Sequence, residues 1–259
     1  MGSGSSGIRG GSGGGAAKTP SGISYDQFMK MSEQQRFNTI GDIVDNPNIK
    51  VPDYLDDSPT TKVLYGLGMT NKPTVVDDAT LDTLPGRELF RTVYEAGSMP
   101  PPTADAVLDQ IANGDYTHMS GRGGSAHGRA IYFATDFNDS AAYGRGTRNP
   151  HVGRAKINPN ATIVQESTLS NQMRAKGIDP TSFNKTNFGT ATVSGTDAKA
   201  LYALSQGIDG WYSGSYTMIV NRGNLTMSSS FKSLHGTYKR GANKGQQKPG
   251  YAKSWKTAG

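Results

Sequence analysis

The sequence predicts an α+β domain, with a helical N-terminal part followed by a β-rich part that carries short helical insertions. Two observations support this fold class. Between positions 24 and 70, apolar residues recur at helical spacing behind serine caps. From Glu88 onward, short runs rich in aromatic and β-branched residues alternate with turn residues. With 259 residues, of which 34% are apolar, the chain has room for one such domain plus polar extensions.

Serine caps and prolines mark the helices of the N-terminal part. Ser24 can cap a helix that Pro47 bounds, and Ser58 can cap a second helix with Pro59 in its first turn. The predicted helices are 24–44, 58–70, 103–112, 139–143 and 196–206.

Short apolar runs between turns predict the strands. The run ELFRTVY starts at Glu88 and alternates in polarity, and AIYFAT at 130–135 is almost wholly apolar. The other predicted strands are 152–157, 161–164 and the runs GIDGWYS, SYTMIVN and NLTMS between 207 and 228.

Composition divides the chain into three parts. Residues 1–22 are a Gly/Ser-rich leader, expected to be flexible, residues 23–228 are the domain, and residues 229–259 are a basic tail. The tail holds seven Lys/Arg and no acid, so the formal net charge of +6 belongs to the ends of the chain. Such a tail favours contact with nucleic acid or another acidic surface, or it serves as a solubilising segment.

Several classes of protein are excluded by residue counts. The absence of cysteine rules out a disulfide scaffold, a Cys-ligated zinc site and a cysteine nucleophile, and four histidines disfavour a His-rich metal site. No apolar run approaches the length of a membrane span, and the N-terminus lacks the apolar segment of a Sec-type signal peptide. We therefore expect no metal and no membrane partner.

A glycine-rich loop, a strand and a helix between 114 and 143 form the first candidate site. The backbone N–H groups of such a loop can hold phosphate, although the loop matches neither the P-loop nor the GxGxxG pattern. Tyr132 on the strand and Tyr143 on the helix can face one another across a slot for a flat heteroaromatic ring. The alternative is that both tyrosines belong to the core.

Charged residues near this unit add further candidates. Arg91 lies among large apolar residues of the strand LFRTVY, where a guanidinium needs a partner and suits phosphate or carboxylate. The alternative is an outward-facing arginine on an edge strand. In and beside the loop, four basic residues can contact a nucleotide or an acidic protein, or remain solvated: His118, Arg122, His127 and Arg129.

Three blocks together resemble the ADP-ribosyltransferase fold in order and spacing. The block ELFRTVYE (88–95) is similar to its first core strand, and GRAIYFATDFNDSAAYG (128–144) is similar to its second signature. The block QGIDGWYSGSYTMIVNRGNL (206–225) is similar to its last core strands. The resemblance covers roughly residues 60–228, is nearest to proteins encoded by bacteriophages and prophages, and implies a split β-sheet core.

The resemblance also implies roles for individual residues in an enzyme that uses NAD as its substrate. Arg91 would bind the ribose or pyrophosphate region, and the backbone of Thr92 would meet the nicotinamide carboxamide. Tyr132 and Tyr143 would sandwich the nicotinamide ring, and Ser140 would bond to its amide. The reaction breaks the ribose–nicotinamide bond through an oxocarbenium-like state, so the ring, the phosphates and the developing charge all need support.

The sequence departs from this family in its carboxylates. A Glu is expected near Tyr216 or Thr217, but the chain has only four, Glu33, Glu88, Glu95 and Glu166. Asp209 is the acid nearest to these positions in sequence. Together with Arg91, it is the candidate for a catalytic residue. Glu166 is a looser candidate.

The sequence therefore supports three hypotheses about function. The first is a toxin-like mono-ADP-ribosyltransferase that modifies a host protein in the host cytoplasm. The second is a catalytically impaired protein of the same fold that serves as a structural or accessory component of a phage virion. The third is a nucleic-acid binder that uses 229–259, where Tyr251 and Trp255 can stack on bases between basic residues.

Overall fold

The computed structural model describes residues 19–53, 57–69, 72–95, 128–144, 148–181 and 185–234. It shows an α+β protein with a large mixed sheet and several helices, as predicted. The helices are α1 (Tyr25–Met29), α2 (Glu33–Asp45), α3 (Pro59–Gly66), α4 (Asp78–Thr83), α5 (Phe137–Ala142), α6 (Glu166–Ala175) and α7 (Gly195–Ser205). The strands are β1 (Thr74–Val76), β2 (Glu88–Glu95), β3 (Ile131–Ala134), β4 (Arg148–Ile157), β5 (Ile163–Gln165), β6 (Lys185–Phe188), β7 (Ala191–Ser194), β8 (Gly210–Ser213), β9 (Tyr216–Ile219) and β10 (Leu225–Ser233).

The main sheet has eight strands in the order β1-β10-β4-β2-β3-β9-β8-β5. The outermost pairs, β1 with β10 and β5 with β8, are parallel, and the inner pairs are antiparallel. Strand β2 pairs with β4 from Glu88 to Glu95, but within the described residues it pairs with β3 only at Phe90 and Ala134. We call this narrow junction the seam. It divides the sheet into a first half (β1, β10, β4, β2) and a second half (β3, β9, β8, β5).

Three apolar clusters bury the faces of this sheet. The largest joins α1, α2, α3, α6 and α7 to the second half, where Trp211 and Met218 are fully buried. A second cluster takes all its buried members from strands of both halves, so we infer that the sheet curls and buries this face against itself. The third packs α5 on the first half and includes Leu234.

The predicted helix at 24–44 is two helices rather than one. Ser32 interrupts it as a second cap, because its hydroxyl accepts from Gln35 N and Gln35 Oε1 accepts from Ser32 N. Ser24 and Gln27 form the same reciprocal cap on α1. A serine inside an apolar periodicity can therefore begin a new helix, and the spacing of apolar residues alone does not reveal this.

Several elements were not predicted from the sequence: β1, α4, α6, β6 and β7. The predicted helix at 103–112 lies outside the described residues. The other predicted helices and strands are present, with ends shifted by a few residues.

Described contacts extend past both predicted limits of the domain, at 23 and 228. Strand β10 continues to Ser233, past the boundary at 228, and the next residue, Leu234, is buried in the core. At the other end, Ser21 lies within the predicted leader, yet its hydroxyl donates to the carbonyl of Gly66 on α3 at 2.6 Å. Contacts of the fold therefore include residues that composition assigns to the leader and the tail.

Candidate functional site

Arg91 lies at the seam, immediately after Phe90, which is the one described position of pairing between β2 and β3. Its Nη1 donates to the main-chain carbonyl of Tyr132 on β3 at 2.8 Å. The guanidinium thus links the two halves where regular strand pairing has ended. This contact explains how the strand tolerates a charge among apolar residues. It also keeps the guanidinium at the seam.

Thr92 and Ser140 are also brought together at the seam. The hydroxyl of Thr92 donates to the Ser140 carbonyl at 2.5 Å and lies 3.0 Å from the Ser140 hydroxyl. Helix α5, which carries Ser140, begins at the cap Asp136 and packs Phe137 edge-on against Phe90, with ring centroids 5.9 Å apart. Two of the three resembling blocks therefore meet in space.

The tyrosines of the site lie on one face of the sheet. Tyr132 is half-buried, and its hydroxyl donates to the carbonyl of Gly128 at 2.7 Å. Tyr143 follows α5, is 38% exposed, and meets Tyr216 edge-on, with ring centroids 5.8 Å apart. Because Tyr216 is opposite Ala134 in the β3–β9 register, it lies on the same face as Tyr132.

Tyr216 is the aromatic residue that the site assignment had missed. It had been noted only as a position where a glutamate was expected. Burial, followed by the hydrogen bond with Tyr216, raises the pKa of Tyr143 to about 12. Tyr143 is therefore a neutral phenol at neutral pH, with a partly open ring that suits stacking on a flat ligand.

Asp209, the catalytic candidate of the third block, directly precedes β8. Its carboxylate accepts from Thr162 N at 2.8 Å and from Asn221 Nδ2 at 2.7 Å. It precedes β8 at the end where Gly210 pairs with Ile219, whereas Tyr216 lies at the opposite end of β9. These contacts hold Asp209 among chain turns, at the end of the β8–β9 pair opposite to Tyr216.

Glu166 is linked to the tyrosine face through Lys199 and Gly128. It begins α6, and its Oε1 accepts from Lys199 Nζ on α7 at 2.7 Å, with both side chains largely buried. The stem of Lys199 packs against Gly128, whose carbonyl holds the Tyr132 hydroxyl. The sequence could not reveal this proximity, because it depends on how α7 crosses the second half.

The remaining candidates have mixed outcomes. The backbone N–H of Arg129 donates to the carbonyl of Thr196 at 3.1 Å. Outside the described residues lie the loop candidates His118, Arg122 and His127, together with Tyr251 and Trp255 of the tail. In the described part of the chain, no cluster of acidic or histidine side chains could hold a metal ion. No helix described here has the length and apolar character that crossing a membrane requires.

Comparison with known proteins adds no relative. No protein-family model, no curated protein and no solved structure matches this chain. The chemical groups at the seam are therefore the evidence for its function. The Arg91 guanidinium can bind an anionic group, and the Thr92 and Ser140 hydroxyls and the partly open ring of Tyr143 can contact a flat polar ring.

Proposed function

We propose that this protein binds NAD at the seam and is a mono-ADP-ribosyltransferase of phage or prophage origin, acting on a host protein. The observation that carries the proposal is the meeting of Arg91, Tyr132, Thr92 and Ser140 at one junction through three hydrogen bonds. These residues come from two separate blocks that resemble the family. The finer fold assignment, a split-sheet transferase core, is part of the same proposal and is supported by the single-pair junction of β2 and β3.

In this proposal the residues divide the work of binding. Arg91 attracts the phosphates or ribose, and the rings of Tyr132 and Tyr143 enclose the nicotinamide. The Thr92 backbone and the Ser140 hydroxyl bond to the nicotinamide amide. In the transfer, the bond between ribose C1′ and the nicotinamide nitrogen breaks, and its electron pair leaves with nicotinamide. A nucleophile of the target protein then bonds to C1′ and loses its proton. The site contributes mainly orientation, which lowers the entropic part of the barrier.

Labelled NAD tests this proposal directly. The purified protein is incubated with NAD labelled in the adenylate portion and with lysate of a bacterial host, and transfer to protein and release of nicotinamide are both measured. Label should reach protein with the wild type and be lost with Arg91→Ala. The matched control is Arg174→Ala, at an exposed arginine of α6 whose contact is with Asn171. Equal silence of wild type and Arg91→Ala in both measurements contradicts the proposal.

A second candidate follows from the carboxylates. Asp209 is held by two hydrogen bonds and Glu166 is paired with Lys199, so both acids already have structural contacts. A protein of this kind can bind nucleotide without transferring it, and it can serve as a structural or accessory virion component. In that case it should co-purify with phage particles at a fixed copy number, and its absence from purified particles would exclude the role.

A further inference from the structure

Lys199 and Glu166 form a buried ion pair that the proposed function has not used. Their side chains are 5% and 16% exposed, and the Nζ–Oε1 distance is 2.7 Å. A buried pair of this kind is weak evidence for stabilisation, because desolvation of two charges offsets much of their attraction. Stability alone therefore does not account for the Lys199–Glu166 pair at this place in the fold.

The pair is in contact with the backbone that ends the glycine-rich loop. A side-chain carbon at Gly128 would lie 3.0 Å from Lys199 Cδ and 2.9 Å from Trp211 Cζ2. Gly128 also has a φ of +106°, which favours glycine. The stem of Lys199 and the ring of Trp211 thus confine Gly128 from two directions.

Gly128 in turn fixes Tyr132. Its carbonyl accepts the Tyr132 hydroxyl at 2.7 Å, and the next residue, Arg129, donates its backbone N–H to Thr196 on α7. The orientation of the Tyr132 ring therefore depends on where α7 holds this segment. Glu166 restrains the far end of the Lys199 side chain and so limits the positions its stem can take.

We propose that Lys199 and Glu166 are positioning residues, which set the orientation of the Tyr132 ring through Gly128 and thereby the affinity of the seam for NAD. The part concerning NAD rests on the proposed function. The part concerning Tyr132 does not, because it follows from the contacts of the unliganded chain.

Three variants test the pair. Lys199→Met removes the charge and keeps a stem of similar length, and Glu166→Gln removes the opposite charge. The double variant Lys199→Met/Glu166→Gln leaves no unpaired buried charge, so its stability should recover toward that of the wild type. The matched control is Lys176→Met, which breaks a more exposed ion pair with Glu33 at 2.6 Å, at a lysine that directly follows α6.

Two measurements on the full chain separate positioning from stability, with unfolding in urea recorded alongside. The first is the ring resonance of Tyr132 in protein carrying ¹³C-labelled tyrosine, assigned by its disappearance in Tyr132→Phe. The second is NAD affinity by calorimetry. In the folded double variant we expect a shifted Tyr132 resonance and an NAD affinity weakened about tenfold or more, as for a misplaced binding group. Lys176→Met should leave both as in the wild type.

The outcomes decide both questions. An unchanged Tyr132 resonance in the folded double variant overturns the positioning role, and a shifted resonance with unchanged NAD affinity overturns the link from Tyr132 to NAD binding. If the wild type binds no NAD, the proposed function fails, and the resonance alone then decides whether the pair positions Tyr132. If Lys199→Met does not fold, Glu166→Gln and the double variant supply the same comparison.

Discussion

Single residues at the seam combine a structural bond with a chemical capacity. Arg91 uses one nitrogen to bind the Tyr132 carbonyl, and the Thr92 hydroxyl lies on Ser140. Asp209 contrasts with them, because hydrogen bonds on both carboxylate oxygens hold it among turns. The sequence predicted which residue types mattered, but the register of the strands decides which of them meet.

Gly86 is a residue whose replacement should be costly. It has a φ of +116°, and a side-chain carbon there would lie 2.1 Å from the carbonyl oxygen of Ile157. Gly86→Ala should therefore lower the free energy of unfolding by about 3 kcal/mol or more, from backbone strain and collision together. Gly214→Ala, at a positive φ with open space around it, should cost only about 1 kcal/mol. Urea unfolding measures both, and equal losses would contradict the collision.

The raised pKa values of two tyrosines predict that the stability of the protein falls at alkaline pH. Burial, followed by the charge of Asp209, raises the pKa of Tyr25 to about 12, and burial with the Tyr216 hydrogen bond does the same for Tyr143. The folded state then keeps protons that the unfolded state has lost above about pH 10. Stability should be fully present below that pH and fall between about pH 10 and 12. Between about pH 10 and 12, the midpoint of unfolding should fall less steeply with pH in Tyr25→Phe/Tyr143→Phe than in the wild type. Equal slopes in the two proteins would show that these tyrosines are not the cause.

At the scale of elements, one buried arginine attaches α4 to the sheet. The guanidinium of Arg154 on β4 bonds Asp78 and Asp82 of α4 and Glu88 of β2, with Nε–Oε1 at 2.7 Å to Glu88. Burial alone would lower the pKa of Arg154, but the bonds with Asp82 and Glu88 outweigh it and raise the pKa above its usual value. Ser228 on β10 adds a hydrogen bond to Asp78 at 2.7 Å.

Removing this arginine should loosen α4. Arg154→Met leaves three carboxylates facing one another without their cation, so we expect a loss of about 3 kcal/mol, at the low end for a buried pair because the acids are partly exposed. Amide hydrogen exchange should rise in α4 before it rises in α7. Lys156→Met is the control, because Lys156 bonds only main-chain carbonyls in the described structure, at Asp82 and Leu84. Equal exchange in both variants would contradict this attachment.

Prediction from sequence worked best for elements with strong local signals. Strands β2 and β3 follow from their apolar runs, and the caps Ser24 and Ser58 were recognised. The missed helix α6 has no side-chain cap bond, and α4 is only six residues long and held by Arg154 rather than by an apolar stripe. Elements that depend on tertiary partners leave little trace in a local pattern.

At the scale of the whole molecule, the C-terminal limit of the domain can be tested by truncation. A chain ending at Leu234 keeps all of β10, whereas a chain ending at Ser228 loses the pairs of Phe231, Lys232 and Ser233 with β4 and the buried Leu234. The longer chain should unfold cooperatively near the temperature of the full protein, and the shorter one should melt far lower or not fold. Calorimetry measures the melting temperatures of the two chains. Equal melting temperatures would support a domain boundary at 228.

The sequence names the residues of the candidate site, but it does not give their arrangement. The three blocks named Arg91, Thr92, Tyr132, Ser140 and Tyr143. The ring partner of Tyr143 and the buried position of Glu166 needed the strand order and the crossing of α7. Long-range placement of this kind is set by the pairing of strands far apart in sequence, which composition and periodicity do not encode.

The seam also has a consequence for how the chain folds. Successive strands cross from one half to the other at β2 to β3, β3 to β4, β4 to β5 and β9 to β10. Neither half is a continuous stretch of sequence, so neither can form first and wait for the other as an independent unit. Folding must therefore bring together strands that are far apart in sequence, such as β1 with β10 and β2 with β4, which predicts slow folding for a chain of this size. Among the described residues, β2 and β3 share one pair, Phe90 with Ala134, so the four crossings of the chain are what tie the two halves to each other along the rest of the seam.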